Sequence, residues 1–429
     1  MKRFSPAPEL LTVEQICKRA KDASRLLAHI ETAQKNLAIE KIALQLHQDQ
    51  KEILSANALD LEEASRNGLS EALLDRLMLD EKRLAAVITD LDSVTKLPDP
   101  IGEVMEEQTL ANGLKIYKRR VPLGVLGVIY EARPNVTVDV AGLTLKSGNC
   151  AVLRGGSETL RTNLSLVQAI QRGLRKTALP SDSIQLISDS NRTRVHELLQ
   201  MDRYVNLIIP RGGAGLHEFC RQNSRIPVIT GGIGICHLFV DESADLERAI
   251  EVIRNAKIQR PTVCNALDTT LVHKAVAAKF LPLLVDRLSL DRVTFRADQA
   301  SMTILEPLHN PGVQSAGVQD FDTEWLSLVL GLKIVQDLEE AIAHINNHST
   351  SHSDGILTEN SLHAAQFLEQ VDSAAVYVNA STRFTDGSQL GLGAEIAIST
   401  QRLHARGPMG LRELTTYKWV IQGNYNLRP

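Results

Sequence analysis

In the segment CAVLRGGS, residues 150–157, a short apolar strand runs directly into a glycine turn. A helical pattern follows over residues 160–174. The same order recurs where VNLIIPRGGAG, residues 205–215, leads into a second helical segment over residues 216–222. Strands that alternate with helices in this way are typical of a parallel sheet covered by helices. The sequence therefore predicts an α/β fold with ligand sites at the carboxyl ends of the strands.

Composition limits the classes of function that remain open. The chain has 429 residues, 43% of them hydrophobic, and a net charge of −4. This length predicts two or three domains, and the balanced charge argues against nucleic acid or a membrane as partner. No apolar run approaches the roughly 18 residues that span a bilayer. The five cysteines form no CxxC pair and no metal spacing, so we expect a cytoplasmic protein that acts on a small molecule.

Three further segments have a clear local pattern. Residues 12–96 are helical and charged, and Thr12 and Gln15 have the spacing of a capping box. Residues 115–128 and 415–421 are rich in β-branched and aromatic side chains and are predicted to be strands.

Glycine turns at strand ends are candidate phosphate-binding sites. Backbone N–H groups and a helix N-terminus approach phosphate oxygens most closely where no side chain intervenes, and a neighbouring arginine adds positive charge. No GxGxxG fingerprint is present, so ordinary tight turns are the alternative interpretation. The candidate cofactor-binding residues of these turns are Arg154, Gly155, Gly156, Arg211, Gly212, Gly213, Gly231 and Gly232.

Cys264 is the candidate nucleophile. A helical pattern ends after Ala256, Pro261 excludes its continuation, and a β-branched strand begins at Leu267. A cysteine in such a loop is reactive when a positive charge, for which Arg260 is a candidate, stabilises its thiolate. The alternative is a small buried hydrophobic residue, which is the common role of a free cysteine.

Several longer motifs resemble one known family. They are VPLGVLGVIYEARPN (121–135), LKSGN (145–149), PRGG (210–213), QRPTVC (259–264), NASTRFTDG (379–387) and HARGPMGL (404–411). Together they resemble the aldehyde dehydrogenase superfamily, in the version found among γ-glutamyl phosphate reductases. The resemblance extends from the first predicted helix to the last residues of the chain.

The resemblance implies a reaction of proline biosynthesis. L-Glutamate 5-phosphate would be reduced to L-glutamate 5-semialdehyde with NADPH, and phosphate would be released. Cys264 would attack the acyl carbon, and the resulting thioester would accept a hydride from the nicotinamide. Asn135 corresponds to the asparagine that stabilises the oxyanion in this superfamily.

Other site residues follow from the same resemblance. Glu324 matches the glutamate that holds the nicotinamide ribose, and Arg154 would pair with the 2′-phosphate of NADP. Arg133 and Arg383 would bind the acyl phosphate and the α-carboxylate of the substrate, although either arginine could equally form a structural ion pair.

Ile229 marks a departure from the hydrolytic members of the superfamily. In the run ITGG, residues 229–232, isoleucine replaces the glutamate that activates water against the thioester. Loss of a general base of this kind costs about 10²- to 10⁴-fold in rate. Phosphate needs no such base, so the substitution favours acyl-phosphate chemistry.

Two other functions and one other site remain open. The chain could pass its acyl group to coenzyme A, or it could be a non-catalytic nucleotide-binding partner of glutamate kinase. His344, His348 and His352 recur every four residues and would share one face of a helix, as in a metal site. No HExxH glutamate accompanies them, and a helix end close to the catalytic residues is favoured, with no metal.

The expected architecture has three parts. Residues 1–108, 123–240 and about 387–405 form an NADP-binding domain with a parallel sheet, and residues 241–386 form an α/β catalytic domain, with the active site in the cleft between them. Residues 109–122 and 406–429 form a small β arm for oligomerisation. We expect a homodimer or homotetramer.

Overall fold

The computed structural model describes residues 11–231 and 233–428, and the α/β class predicted from the sequence is confirmed. The α-helices of this part are α1 (Val13–Leu27), α2 (Thr32–Gln48), α3 (Gln50–Arg66), α4 (Glu71–Leu77), α5 (Glu81–Ser93), α6 (Asn135–Lys146), α7 (Leu160–Leu174), α8 (Thr193–Leu199), α9 (Ala214–Asn223), α10 (Leu246–Ile258), α11 (Lys274–Ser289), α12 (Gln299–Leu305), α13 (Leu338–His348) and α14 (Ser361–Gln370).

The strands fall into parallel sheets and short antiparallel ones. They are β1 (Val104–Thr109), β2 (Lys115–Pro122), β3 (Val125–Tyr130), β4 (Cys150–Gly155), β5 (Ile184–Leu186), β6 (Leu207–Arg211), β7 (Cys236–Val240), β8 (Leu267–His273), β9 (Thr294–Ala297), β10 (Val313–Ser315), β11 (Val329–Val335), β12 (Ser353–Leu357), β13 (Ala375–Val378), β14 (Ile398–Ser399), β15 (Gly407–Pro408) and β16 (Thr415–Gln422).

The chain forms two compact units. Among the described residues, the first comprises residues 11–230, 392–397 and 409–428, and the second comprises residues 231, 233–391 and 398–408. The boundary expected at residue 240 is therefore wrong, because β7 pairs with β8 and β12 of the second unit. The return segment expected at 387–405 is also divided, since only residues 392–397 of it belong to the first unit.

The sheet of the first unit has the strand order β5-β4-β3-β6, and all of its pairs are parallel. Every residue of β3 and β4 is buried, which explains why β3 and the first four residues of β4 form continuous apolar runs in the sequence. The predicted helix over residues 160–174 is α7, with the same bounds. The capping box predicted for Thr12 and Gln15 is also present at the start of α1.

A separate antiparallel sheet of the first unit has the order β1-β2-β16. The two strand segments that the family resemblance places in one β arm are β2 and β16, which pair with a register that runs from Lys115 opposite Gln422 to Pro122 opposite Thr415. The arm also includes β1, which begins at Val104 and therefore before the residue 109 expected from the sequence.

The second unit is built around a parallel sheet with the order β10-β9-β11-β8-β7-β12-β13. Its two faces carry different helices. Leu238 packs in a core with residues of α10 and α11, whereas the next residue, Phe239, packs in a core with residues of α13 and α14. The alternation along β7 thus places one helical layer on each face of the sheet. Within the described residues no helix is both long enough and apolar enough to cross a membrane.

Candidate active site

Cys264 lies in a short loop between α10 and β8, as the sequence predicts. The helix ends at Ile258, and a turn closed by the hydrogen bond from Ala266 N to Val263 O (3.0 Å) precedes β8. The Cys264 side chain is half-buried, whereas the other four cysteines are buried. Cys264 is therefore the thiol with the best access to a small molecule.

The backbone of Cys264 is held against the segment that leads into β7. Its carbonyl oxygen accepts a hydrogen bond from Cys236 Sγ (3.3 Å). The Cα atom of Gly234 packs so closely on the same carbonyl that a Cβ atom would overlap it. Burial raises the pKa of the Cys236 thiol well above its ordinary value, so this cysteine stays protonated and acts as a hydrogen-bond donor.

The residue after Cys264 is joined to the loop that follows β13. Asn265 Nδ2 donates to Thr385 O (2.9 Å) and more weakly to Arg383 O (3.4 Å). In return, Thr382 Oγ1 donates to Asn265 O (2.7 Å). Asn265, Thr382 and Thr385 are all buried. This network brings the candidate substrate-binding residue Arg383 to the loop that carries Cys264.

The Arg383 side chain crosses to the end of α10. Its Nε donates to Gln259 Oε1 (2.9 Å). Burial lowers the pKa of Arg383, whereas the negative charges of Cys264 and Asp386 act in the opposite direction. The guanidinium is therefore close enough to Cys264 for the two charges to interact.

Glu324 is the third predicted residue in this part of the second unit. Its Oε1 accepts a hydrogen bond from Gly234 N (3.0 Å), so it holds the same glycine that packs on Cys264. The neighbouring Trp325 N donates to Asp268 Oδ1 (3.1 Å), and Asp268 lies 3.6 Å from Lys257 Nζ. Burial raises the pKa of Asp268 to about 6 and lowers the pKa of Lys257. Cys264, Glu324 and Arg383 are thus brought together around Gly234 and Asn265.

Gly231, in the ITGG run of residues 229–232, packs closely against the backbone of another segment. A Cβ atom there would overlap the backbone carbonyl of Ile398. The predicted cofactor-binding residue Gly232 lies outside the described residues.

The predicted cofactor-binding residues of the first unit lie at the carboxyl ends of β4 and β6, the two strands that flank β3. Arg154 is buried, its NH1 donates to Gly155 O, and its NH2 donates to Ser190 O (2.8 Å). Its guanidinium therefore supports the turn that contains Gly155 and Gly156. Burial lowers the pKa of Arg154, and the charges of Glu158 and Asp189 oppose this change.

A glutamate fills the turn at the end of β6. Gly213 is the N-cap of α9, and its N–H donates to Glu131 Oε2 (3.1 Å). Gly212 packs so closely on the same carboxylate that a Cβ atom would overlap it, and Glu131 N in turn donates to Arg211 O (3.1 Å). The turn over residues 211–213 thus binds an anionic side chain of the chain itself.

Asn135 and Arg133 follow β3 in the first unit. Asn135 is the first residue of α6, and its Nδ2 donates to Asp139 Oδ2 (3.0 Å). Burial raises the pKa of Asp139 to about 6. Arg133 lies in the turn before this helix, next to Ala132, whose φ angle is +40°. In this arrangement the Asn135 amide is engaged within its own helix.

The three histidines do not share one helical face. His344 lies on α13, and its ring stacks on that of His348, the last residue of the helix, with 4.2 Å between centroids. His352 lies beyond the helix end, where its Nδ1 lies 2.8 Å from Ser353 Oγ. Among residues 11–231 and 233–428, no group of three His, Cys, Asp or Glu residues could hold a metal ion.

The sequence analysis missed two residues of this region. Glu131 directly follows β3 within the YEARPN run, a position at which a polar residue often contacts ligands in α/β folds. Gln259 is a polar residue at a helix end before Pro261. Neither position identifies its partner, because Glu131 binds Gly213 and Gln259 binds Arg383, more than 80 residues away in each case.

Comparison with known proteins identifies the class first. The profile of the aldehyde dehydrogenase family matches residues 7–315. An acetylating aldehyde dehydrogenase from Geobacillus thermoglucosidasius has the same fold, with a TM-score of 0.70 at 17% identity over 97% of both chains.

More similar proteins narrow the class. The γ-glutamyl phosphate reductase of Psychromonas ingrahamii is 56% identical over 98% of this chain and 100% of its own length. That of Vibrio parahaemolyticus is 54% identical over 96% and 98%. The crystal structure of the γ-glutamyl phosphate reductase from Thermotoga maritima superimposes with a TM-score of 0.95 at 47% identity, covering 98% of this chain and 100% of that chain. The chain belongs to the aldehyde dehydrogenase family and, within it, to the γ-glutamyl phosphate reductases.

Proposed function

We propose that this enzyme reduces L-glutamate 5-phosphate to L-glutamate 5-semialdehyde with NADPH and releases phosphate, as a step of proline biosynthesis. The observation that carries the proposal is the half-buried Cys264 in a loop fixed by Cys236, Gly234 and Asn265, with the Arg383 guanidinium within range of its charge. A fixed thiol beside a cation is suited to attack on an anionic acyl derivative.

The residues of the first unit fit a dinucleotide cofactor. The N–H of Gly213, at the start of α9, donates to the Glu131 carboxylate, and a phosphate offers oxygen acceptors of the same kind. A Cβ atom on Gly213 would meet nothing within 4 Å, so no described atom covers that side of the turn. The buried Arg154 cation supports a preference for NADP over NAD through its charge rather than through a direct contact.

In the proposed reaction, the residues of the chain form the covalent intermediate and bind the charged groups of the substrate. The Cys264 thiolate attacks the acyl carbon, a C–S bond forms, and the C–O bond to phosphate breaks with its electron pair on phosphate. Arg383 and Arg133 bind the two anionic ends of the substrate, and Asn135 stabilises the oxyanion. When bound, a reduced nicotinamide cofactor would supply a hydride to the acyl carbon of the thioester, and the aldehyde forms as the C–S bond breaks with its electron pair on sulfur. Cys264 then leaves as thiolate.

The residue at position 229 supports phosphate rather than water as the nucleophile that attacks the thioester in the oxidative direction. The side chain of Ile229 is 2% exposed and its N–H donates to Ile208 O (2.9 Å), so it is a core residue that can neither accept a proton nor orient water. In the oxidative direction, phosphate attacks the thioester without a general base.

The same proposal includes the cellular location, the oligomeric state and the macromolecular partner of the enzyme. We place the enzyme in the cytoplasm as a homodimer or homotetramer, with the sheet of β1, β2 and β16 as the contact between subunits. Tyr417, Trp419 and Ile421 alternate along β16 and are about half exposed or more, which supports an intermolecular contact there. Glutamate kinase, which produces the unstable acyl phosphate, is the proposed macromolecular partner.

The test is NADP reduction by the purified protein with glutamate 5-semialdehyde, with and without phosphate. Activity that requires phosphate supports the proposal. Carboxylate formed without phosphate would instead identify a hydrolytic dehydrogenase, and activity that requires coenzyme A would identify another acylating dehydrogenase. Absence of activity with either nicotinamide cofactor would leave a non-catalytic nucleotide-binding protein.

A further inference from the structure

Arg383 forms hydrogen bonds with two residues of the loop that carries Cys264, one before and one after the cysteine. Gln259 is the C-cap of α10, where its N–H donates to Asn255 O (3.3 Å), and its Oε1 accepts from Arg383 Nε (2.9 Å). The Arg383 backbone lies in the 3-10 turn Thr382–Phe384, and its carbonyl accepts from Asn265 Nδ2 (3.4 Å). Arg383 is therefore tied to residues on either side of Cys264 in the loop.

The side chain that contacts Arg383 at position 259 is a neutral amide rather than a carboxylate. Its amide accepts the Nε–H and so fixes the plane of the guanidinium, but it adds no negative charge. A carboxylate at the same place would form an ion pair with Arg383 and reduce its attraction for an anionic ligand. Burial lowers the pKa of Arg383, the charges of Cys264 and Asp386 oppose this change, and Arg260 adds to it.

The position of Arg383 also indicates which end of the substrate it binds. In γ-glutamyl phosphate the phosphoryl group is bonded through one oxygen to the acyl carbon that the thiolate attacks. The α-carboxylate lies at the other end of the glutamyl chain. Arg383 is hydrogen-bonded to Gln259 and Asn265, on either side of the attacking Cys264, so its guanidinium is placed for the phosphoryl group.

We propose, on the basis of the proposed function, that Gln259 is a positioning residue that holds the Arg383 guanidinium where it binds the phosphoryl group. In the reduction, Arg383 stabilises phosphate as it leaves with the electron pair of the broken C–O bond. In the reverse direction it binds inorganic phosphate, whose oxygen attacks the thioester and forms a C–O bond while the C–S bond breaks.

The test compares Q259E and Q259M with the wild type in the oxidative direction, at varied phosphate and at varied glutamate 5-semialdehyde. Q299E is the matched control, because Gln299 is an exposed residue at the start of α12 and the change adds the same charge elsewhere in the same unit. Melting temperatures verify that every variant is folded. Alkylation of Cys264 by iodoacetamide as a function of pH gives a readout that needs neither cofactor nor turnover.

We expect Q259E to raise the KM for phosphate about tenfold or more, because a charge-assisted contact to phosphate is weakened. Q259M, which removes the acceptor without adding charge, should have a smaller effect, and the KM for the aldehyde should change little in both. Alkylation of Q259E should require a higher pH, whereas Q299E should behave as wild type.

Two results would overturn the inference. One is an unchanged phosphate KM in Q259E, and the other is an increase confined to the KM for the aldehyde, which would assign Arg383 to the α-carboxylate. If the wild-type enzyme itself needs no phosphate, the proposed function fails, and this outcome is visible before any variant is compared.

Discussion

Gly234 and Cys264 are in direct backbone contact: the Cα of Gly234 lies against the carbonyl oxygen of Cys264, and no Cβ atom fits between them. The N–H of the same glycine donates to Glu324 Oε1 (3.0 Å). One small residue therefore links the predicted nucleophile to the predicted ribose-binding glutamate. Because the overlap would be with backbone, a side chain at position 234 must displace the Cys264 loop.

For this reason we predict that Gly234→Ala lowers kcat at least about 100-fold, since a displacement of about 1 Å at a reacting group has an effect of that size. The measurement is kcat at saturating substrates, with the melting temperature of the variant. Gly317→Ala is the control, because a Cβ atom there makes ordinary contacts with Asp320. Wild-type kcat in Gly234→Ala would show that the loop tolerates the displacement.

Glu131 occupies the turn in which we place a cofactor phosphate. Replacement by glutamine removes its negative charge and weakens its competition for the Gly213 N–H. We predict that Glu131→Gln lowers the Kd for NADPH about threefold or more, given typical energies of charges at a helix N-terminus. Fluorescence titration measures this Kd, and Glu218→Gln, on the same helix but beyond its first turn, is the control. A weaker affinity in Glu131→Gln would mean that the carboxylate supports the bound cofactor.

We predict that the buried His352 makes the free energy of unfolding fall as the pH is lowered. Burial lowers its pKa from 6.5 to about 4, so the folded protein holds the neutral ring while the unfolded chain binds a proton below pH 6.5. The stabilisation is complete above pH 6.5 and is lost as the pH falls toward 4, by about 3 kcal/mol in total.

Urea unfolding of His352→Asn between pH 4 and 7 checks this prediction. The variant is expected to be less stable at neutral pH, but its stability should fall less steeply with acid than that of the wild type. His309→Gln serves as the control because His309 is exposed. Equal slopes for His352→Asn and the wild type would contradict the assignment.

The buried pair of Lys257 and Asp268 joins α10 to β8, the two elements that flank the Cys264 loop. Loss of one partner leaves a buried charge uncompensated, so we predict that Lys257→Met lowers the free energy of unfolding by about 3–5 kcal/mol at pH 7. The deficit should shrink as the pH falls, because Asp268 becomes neutral on protonation; burial raises its pKa to about 6 in the intact protein, and loss of the Lys257 charge raises this pKa further. Thermal unfolding at pH 5 and pH 7 measures both effects, and the double variant Lys257→Met/Asp268→Asn should recover part of the loss at pH 7.

Local patterns predicted local structure well. The bounds of α7, the capping box of α1 and the strand character of β2 and β16 follow from periodicity, cap residues and β-branched content. The loop position of Cys264 follows from the change of pattern on its two sides. These features depend on neighbours in sequence.

Long-range features could not be predicted in the same way. The boundary at residue 240 was misplaced because β7 has a strand pattern that fits either sheet, and only its pairing with β8 and β12 decides between them. The partner of Gln259 is 124 residues away. Arg154 was expected to face the cofactor, but its burial against the carbonyls of Gly155 and Ser190 depends on a fold that sequence spacing does not specify.

The most direct test of the central claim is detection of the acyl-enzyme at Cys264. The wild type and Cys264→Ala are incubated with glutamate 5-semialdehyde and NADP in the absence of phosphate, and peptide mass spectrometry follows after acid quenching. We predict a glutamyl adduct on Cys264, a burst of about one NADPH per subunit, and loss of the adduct when phosphate is added before the quench. NADPH formation by Cys264→Ala, or turnover of the wild type without an adduct on Cys264, would contradict the thioester route.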